Sequence, residues 1–282
     1  MKLGLLGPEG TFSETAALLW LKTRTTSAAE PTELLFYTTI FDVADSVARG
    51  EVAYGVVPIE NSLEGSVGET LEVLTNESTS GVVQIAGEVL IPIKICLLAR
   101  GTFEQIRTVV SHPHAIAQCK RFIRERLLSR GVKVQAVDST AAAAKLAREI
   151  DAIAALASEE AARKYQLTIL AENVQDMASV TRFVALAPAG VQTAPTGHDK
   201  TSLLLALKDR PGALYDVLGL FAERGINLTK IESRPSKRAL GDYMFHIDCE
   251  GHVEEKEIKV VLANLEPRVT MIKLLGSYPA AE

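Results

Sequence analysis

Four short polar stretches carry residue types that could bind or protonate a small anion: Gly7-Pro8-Glu9-Gly10-Thr11-Phe12-Ser13, Pro58-Ile59-Glu60-Asn61-Ser62, Ser111-His112-Pro113-His114 and Val180-Thr181-Arg182-Phe183. The first three follow short apolar runs that read as strands, and in open α/β sheets ligands bind beyond the carboxyl ends of strands. Thr11 and Ser13 stand where a helix pattern begins, so hydroxyls and free backbone N–H groups there can form an anion site, or simply cap the helix. The phosphate-binding lysine motif and G-x-G-x-x-G are missing, which favours a carboxylate over a nucleotide phosphate. Pro113 suits the first turn of a helix. His112 and His114 can be ligands, bases or structural hydrogen-bonders, and with no third ligand at metal spacing no metal site is expected. Glu60, Asn61 and Ser62 read either as an ordinary polar turn or as one wall of a cleft. Alternation along VTRFVAL puts Thr181 and Phe183 on one strand face and Arg182 on the other, a neutral hydroxyl beside an aromatic ring.

These clusters need a scaffold, and residues 1–187 supply an α/β pattern. Strands are expected at Lys2–Leu6, Leu34–Tyr37, Tyr54–Val57, Thr108–Val110, Lys133–Val137, Ile150–Ala155 and Arg182–Leu186, with helical patterns between them, which argues for parallel sheets wrapped by helices. Thr11-Phe12-Ser13-Glu14 fits a capping box, and Ser139 precedes the strong helix former TAAAAKLARE. The long apolar run at residues 82–99, broken by Gly87 and Pro92, suits a strand crossing between two lobes, with VTRFVAL as the return. Residues 188–199, rich in Pro, Gly and Thr, read as a linker. From Lys200 the order is β-α-β-β-α-β, a ferredoxin-like unit that commonly pairs with another copy.

Composition narrows the class of partner. The 282 residues are 47% hydrophobic and 23% charged, enough for a large core in two domains. Thirty-five acidic and thirty basic residues give a net charge of −5 with no long block of either sign, so nucleic acid and membrane surfaces are not expected partners. The N-terminal apolar run is too short for a signal peptide, and no stretch approaches the roughly 20 apolar residues of a spanning helix, so a cytoplasmic location is expected. Cys96, Cys119 and Cys249 lack paired spacing and read as buried hydrophobes.

The segments GPEGTFSE, PIENSLEGSV, SHPHAIAQC, DSTAAAAKLA, ALASEEAARKY and VTRF, followed by KTSLLLALKDRPGAL, INLTKIESRP and LGSY, resemble in their joint order the prephenate dehydratase family with a C-terminal ACT regulatory domain. The likeness covers nearly the whole chain. It implies a catalytic part similar to a two-lobed periplasmic binding protein at 1–187, with lobe 1 about 1–80 and 176–187 and lobe 2 about 81–175, a linker at 188–199, and an ACT domain at 200–282. It also implies the reaction: prephenate loses carbon dioxide and water to become phenylpyruvate, without cofactor or metal.

By this resemblance Thr181 is the essential residue at the departing hydroxyl, in a catalytic set with Arg182 and Phe183. Thr11, Phe12, Ser13, Glu60, Asn61, Ser62, Ser111 and His112 would bind or frame the substrate, with Glu60 serving site architecture. L-Phenylalanine would bind at Gly212, Ala213, Leu214, Asn227, Leu228, Glu232, Ser233, Arg234 and Pro235 between paired ACT domains of a homodimer or homotetramer. Three positions depart from the family pattern: His114 where Gln is common, Met177-Ala178-Ser179 where an Asn usually lies, and Tyr215 where the family has Val. Arogenate dehydratase and a non-catalytic amino-acid sensor remain the competing readings.

Overall fold

A computed structural model describes residues 1–24, 31–76, 82–235 and 243–281. The expected lobe break near residues 80 and 81, and Asp242 at the start of an expected strand, lie outside the described residues. Strands β1 (Lys2–Leu6), β2 (Glu33–Tyr37), β3 (Tyr54–Asn61), β4 (Gly65–Ser66) and β5 (Val83–Ile93) belong to a first sheet. A second sheet takes β6 (Cys96–Ala99), β7 (Thr108–Ser111), β8 (Lys133–Ala136), β9 (Ile153–Ala157) and β10 (Thr168–Ala171). The chain then returns through β11 (Ser179–Pro188), giving the first sheet the order β2-β1-β3-β11-β5 with β4 on β3, and the second the order β10-β6-β9-β7-β8. The apolar run at 82–99 is thus two strands, one in each sheet. Together with β11 it makes the two crossings of a two-lobed α/β fold.

The helices form where periodicity and caps coincide. They are α1 (Phe12–Arg24), α2 (Ile40–Ala48), α3 (Gly68–Thr75), α4 (Pro113–Gln118), the short α5 (Lys120–Phe122), α6 (Thr140–Glu149) and α7 (Glu159–Tyr165). Ser139 caps α6 by accepting from the Ala142 N–H at 2.9 Å, and Ser158 caps α7 through the Ala161 N–H at 3.1 Å. Ala143, Ala144 and Ala147 of α6 are fully buried with Leu98, Val110 and Ala155 of the second sheet. Their small side chains let the helix backbone lie close to the strands, so this lobe packs densely without large residues.

The C-terminal unit is β12 (Asp199–Ala206), α8 (Ala213–Ala222), β13 (Leu228–Pro235), β14 (Tyr243–Glu250), α9 (Lys256–Leu265) and β15 (Met271–Pro279), with sheet order β13-β14-β12-β15. Leu203, Leu205, Ile247 and Cys249 meet Val217, Phe221, Ile258 and Val261 of the two helices. Alternation turns Lys200, Ser202, Asp248 and Lys273 to the opposite sheet face. That face is occupied by polar contacts: Lys200 reaches the fully buried Glu88 carboxylate at 2.7 Å, and Lys273 donates to the Leu74 carbonyl at 3.1 Å. Burial lowers the Lys273 ammonium to about 8. Gly276 lies beside Ile85, where a Cβ would run into the Ile85 carbonyl, so β15 reaches β5 at backbone distance.

Chain contacts accordingly divide the described residues into one unit of 1–43, 56–70 and 90–183 and another of 44–55, 71–89 and 184–282. Segments 71–89 associate with the C-terminal unit despite their position in sequence. The expected linker is also tied down within that unit, Thr193 donating to the Ser277 carbonyl at 2.5 Å and Thr196 to Asp199 at 2.8 Å. All three cysteines are free and buried, and burial raises the Cys119 and Cys249 thiols to about 12. No helix among the described residues is long and apolar enough to cross a membrane.

His246 on β14 generates a pH prediction. It is 2% exposed, neither ring nitrogen has a hydrogen-bond partner, and Lys230, Glu232, Arg234 and Asp248 surround it. Burial lowers its pKa to about 4, against the opposing pull of Asp248. Above the ordinary histidine range both folded and unfolded chains hold a neutral ring, and stability is full. As pH falls towards 4 the unfolded chain takes up a proton that the folded one refuses, so up to about 3 kcal/mol is lost. Denaturant titrations from pH 7 to pH 4 should show a shallower decline for His246→Phe than for the native chain.

Candidate active site

Strand order sets the site, because β3 and β11 are neighbours although their sequences are far apart. Ser62 donates its N–H to the Val180 carbonyl at 2.9 Å, and the Val180 N–H donates to Ser62 Oγ at 3.0 Å. This pairing brings Asn61 Nδ2 to Thr181 Oγ1 at 2.9 Å. Asn61 Oδ1 accepts from the N–H groups of Leu63 and Glu64 at 2.9 and 3.2 Å. Two backbone donors on the oxygen orient the amide so that its NH₂ group faces Thr181. Thr181 Oγ1 is therefore an acceptor towards Asn61, and its own proton remains free to point elsewhere.

Arg182 occupies the opposite strand face, its Nε 3.6 Å from Glu60 Oε2, with side-chain exposures of 8% and 35%. Glu60 is thus turned to a cation and away from the Thr181 side, which limits its repulsion of a nearby anion. Phe183 shares the face of Thr181 but is only 3% exposed, so it backs the hydroxyl from within the core and does not stand as an open wall. Ser179, also on that face, is 4% exposed and its Oγ has no partner. A buried hydroxyl without a partner is costly unless something completes it, and this one lies two residues from Thr181.

The second lobe contributes from the end of β7. His112 caps α4, its Nδ1 accepting from the His114 N–H at 3.3 Å. Burial first, then neighbouring His114, lowers the His112 pKa, so the ring stays neutral with Nε2 as its donor. Ser111, expected to meet substrate, is fully buried and its hydroxyl donates to the Leu156 carbonyl at 2.6 Å, so in this structure it braces β9. His114 stands exposed with Nδ1 2.6 Å from Glu64 Oε2, and Gln118 Nε2 donates to Glu64 Oε1 at 2.9 Å. Glu64 was not singled out by sequence, since its partners lie 54 positions or so away and no local pattern announces them.

At the start of α1 the expected capping box at Thr11–Glu14 does not form, because the Thr11 hydroxyl is turned to the Leu6 carbonyl, to which it donates at 3.3 Å, and Glu14 to the Gly10 N–H, from which it accepts at 2.6 Å. Ser13 is 6% exposed, and Phe12 and Thr11 border a cavity of about 870 Å³ also lined by Leu18, Leu19, Leu90 and Lys94. That cavity includes neither Asn61 nor Thr181. Among the described residues no hydrogen bond joins Thr11, Phe12 or Ser13 to the Asn61–Thr181 pair, although β1 lies next to β3. Among the described residues no group of three or more His, Cys, Asp or Glu side chains is placed to hold a metal ion.

In the C-terminal unit Gly212, at φ 81°, precedes α8, with Ala213 and Leu214 in the first turn. An L side chain is strained in that conformation, so glycine suits the helix start. Asn227 donates to Glu250 at 2.9 Å, and Arg234 Nε lies 3.4 Å from Glu232, both near the edge strand β13 where Leu228, Ser233 and Pro235 also lie. Tyr215 is 79% exposed.

Two α/β lobes presenting hydroxyl, amide and imidazole donors, followed by a βαββαβ unit, define a small-molecule enzyme with an attached regulatory domain. A family profile described as prephenate dehydratase matches residues 3–190, and one described as ACT domain matches 201–266. The prephenate dehydratase of Amycolatopsis methanolica is 40% identical over 284 residues, covering all of this chain and 89% of that protein. The solved structure of prephenate dehydratase from Arthrobacter aurescens in complex with L-Phe is 36% identical, covers 99% of this chain and 90% of that one, and superposes with a TM-score of 0.86. A structure described as GqqA, a novel type of quorum quenching acylase, is 29% identical over 99% of this chain and 98% of that one, with a TM-score of 0.85. The chain belongs to the prephenate dehydratase family.

The Asn61 amide can be tested apart from the hydroxyl it orients. Asn61→Asp keeps the shape but turns a donor into an acceptor, which pulls the Thr181 proton inward. Its turnover should fall by at least about 10²-fold, the loss typical of one transition-state donor, and further than that of Asn61→Ala in steady-state assays on purified protein.

Proposed function

We propose that this chain converts prephenate to phenylpyruvate and that free phenylalanine controls it through the ACT domain. The observation that carries the catalytic reading is the Asn61–Thr181 hydrogen bond, which leaves the Thr181 proton available. In prephenate, cleavage of the bond to the ring carboxylate releases carbon dioxide, and the electron pair moves into the ring as the C–O bond to the ring hydroxyl breaks. The departing oxygen gathers negative charge and needs a hydrogen bond that strengthens as it leaves. A threonine hydroxyl that already accepts from an amide is a better donor, because hydrogen bonds in a chain polarise one another. Neutral His112 and the partnerless Ser179 hydroxyl add donors for the substrate's oxygens, while Arg182, paired with Glu60, sets positive charge behind the strand. Aromatisation supplies the driving force, so this reading routes no step through a cofactor.

Thr181→Ala should lose about 10²–10³ in kcat with little change in prephenate affinity, and Thr181→Ser should keep part of the activity. Phenylpyruvate formation, followed by absorbance, checks both; near-native turnover of Thr181→Ala would overturn the assignment. Run beside it, arogenate as substrate separates the two dehydratase activities.

For control, the helix start at Gly212–Leu214 offers N–H groups to the carboxylate of phenylalanine, and the Asn227–Glu250 pair offers an acceptor to its ammonium. We place this site between ACT domains of a homodimer or homotetramer in the cytoplasm, β13 being an edge strand with exposed Ile231. A ligand inhibits only by favouring a state in which the catalytic cleft is less competent. Asn227→Ala should raise the phenylalanine concentration for half-inhibition about five-fold or more, with turnover in its absence unchanged. Unaltered potency in the inhibition curve would remove Asn227 from the effector site.

A further inference from the structure

Glu64 makes a contact that no step of the proposed reaction uses. It lies in the turn between β3 and β4, three residues after Asn61, and its own N–H is one of the two donors that orient the Asn61 amide. Its carboxylate reaches across to α4 in the second lobe, one oxygen to each of two side chains: Oε2 to His114 Nδ1 at 2.6 Å and Oε1 to Gln118 Nε2 at 2.9 Å. His114 and Gln118 are four residues apart, so they stand on one face of the helix, one above the other. A single side chain thus ties the turn that presents Asn61 to the opposite lobe.

Resting on the dehydratase reading above, we propose that Glu64, His114 and Gln118 form a clasp that holds the two lobes together over bound substrate. Glu64 is in this sense a positioning residue. The contact is solvent-accessible, with side-chain exposures of 67% for His114 and 37% for Glu64, so by itself it adds little to folding stability. Its effect falls on the open–closed balance of the lobes. There a small free energy changes the closed population several-fold, and with it the apparent affinity for a substrate bound by the closed form. Closure also excludes water from the departing groups.

The test is a double-mutant cycle in the full chain with Glu64→Ala, His114→Ala and the pair, each assayed for KM and kcat with prephenate. Each single change is expected to raise KM about three- to ten-fold with kcat within about two-fold, and the double change to be no worse than the poorer single, because both remove one contact. Melting temperatures should stay level. His114→Gln, whose side-chain amide can still donate to the Glu64 carboxylate, should keep a low KM. Independent additive effects, or an unchanged KM in both singles, would overturn the clasp. Amide exchange at Leu63 and Glu64, measured by NMR without substrate, reads the same contact independently of turnover and should quicken about five-fold in His114→Ala; unchanged exchange also overturns it. A native chain that leaves prephenate intact while this exchange quickens would reject the dehydratase reading and retain the clasp.

Discussion

The hydrogen bond from Asn61 to Thr181 depends on a strand pairing between segments 120 positions apart, and most of the structure can be understood as what holds that pairing in place. β3 and β11 are adjacent because the chain leaves the first sheet through β5, builds a complete second sheet, and returns. A one-residue slip between β3 and β11 would turn Thr181 away from Asn61 and bring Arg182 to its place, since side chains alternate faces along a strand. On the proposed mechanism, register is therefore a catalytic variable. It is secured on both sides of the bond: by the reciprocal Ser62–Val180 pairing next to it, and by the Arg182–Glu60 contact on the reverse face.

The chemistry then needs few groups. A threonine hydroxyl is a feeble acid, but a fixed donor held in a partly dry site costs no reorganisation when charge appears on the leaving oxygen. The arrangement around Thr181 serves that end by supplying an acceptor role that is already filled and a proton that is not. On the reverse face of the strand the Arg182 guanidinium is paired with the Glu60 carboxylate.

The C-terminal unit is joined to the chain in a way that its place in sequence does not suggest. Segments 71–89 pack with it, through the buried Glu88–Lys200 pair, the Lys273–Leu74 contact and the backbone approach at Gly276. Removing one partner of a buried pair leaves an uncompensated charge at a cost of roughly 3–5 kcal/mol, so this docking is not a loose tether. β5, which carries Glu88, is next to β11 in the first sheet. A regulatory signal has a strand to act on.

Much of this was legible from the amino-acid order. Period-two and period-3.6 apolar patterns placed most strands and helices within a few residues, since burial of one face is a local requirement that each segment must meet by itself, but they left β10 unmarked. Ser139 announces its helix because a cap acts within three residues. The motifs at 60–62 and 180–183 could be recognised as chemistry-bearing, and the alternation of Thr181 and Arg182 followed from strand geometry alone. Other features belong to the tertiary structure only. Ser111 looked like a ligand contact until its hydroxyl was found spent on Leu156, a residue 45 positions away. Phe183 proved to be core, and Glu64, unremarked in its turn, meets His114 and Gln118 across the lobes. In each case the deciding partner is distant in the chain, and a side chain's role as ligand, brace or clasp depends on which distant group packing brings within hydrogen-bonding reach.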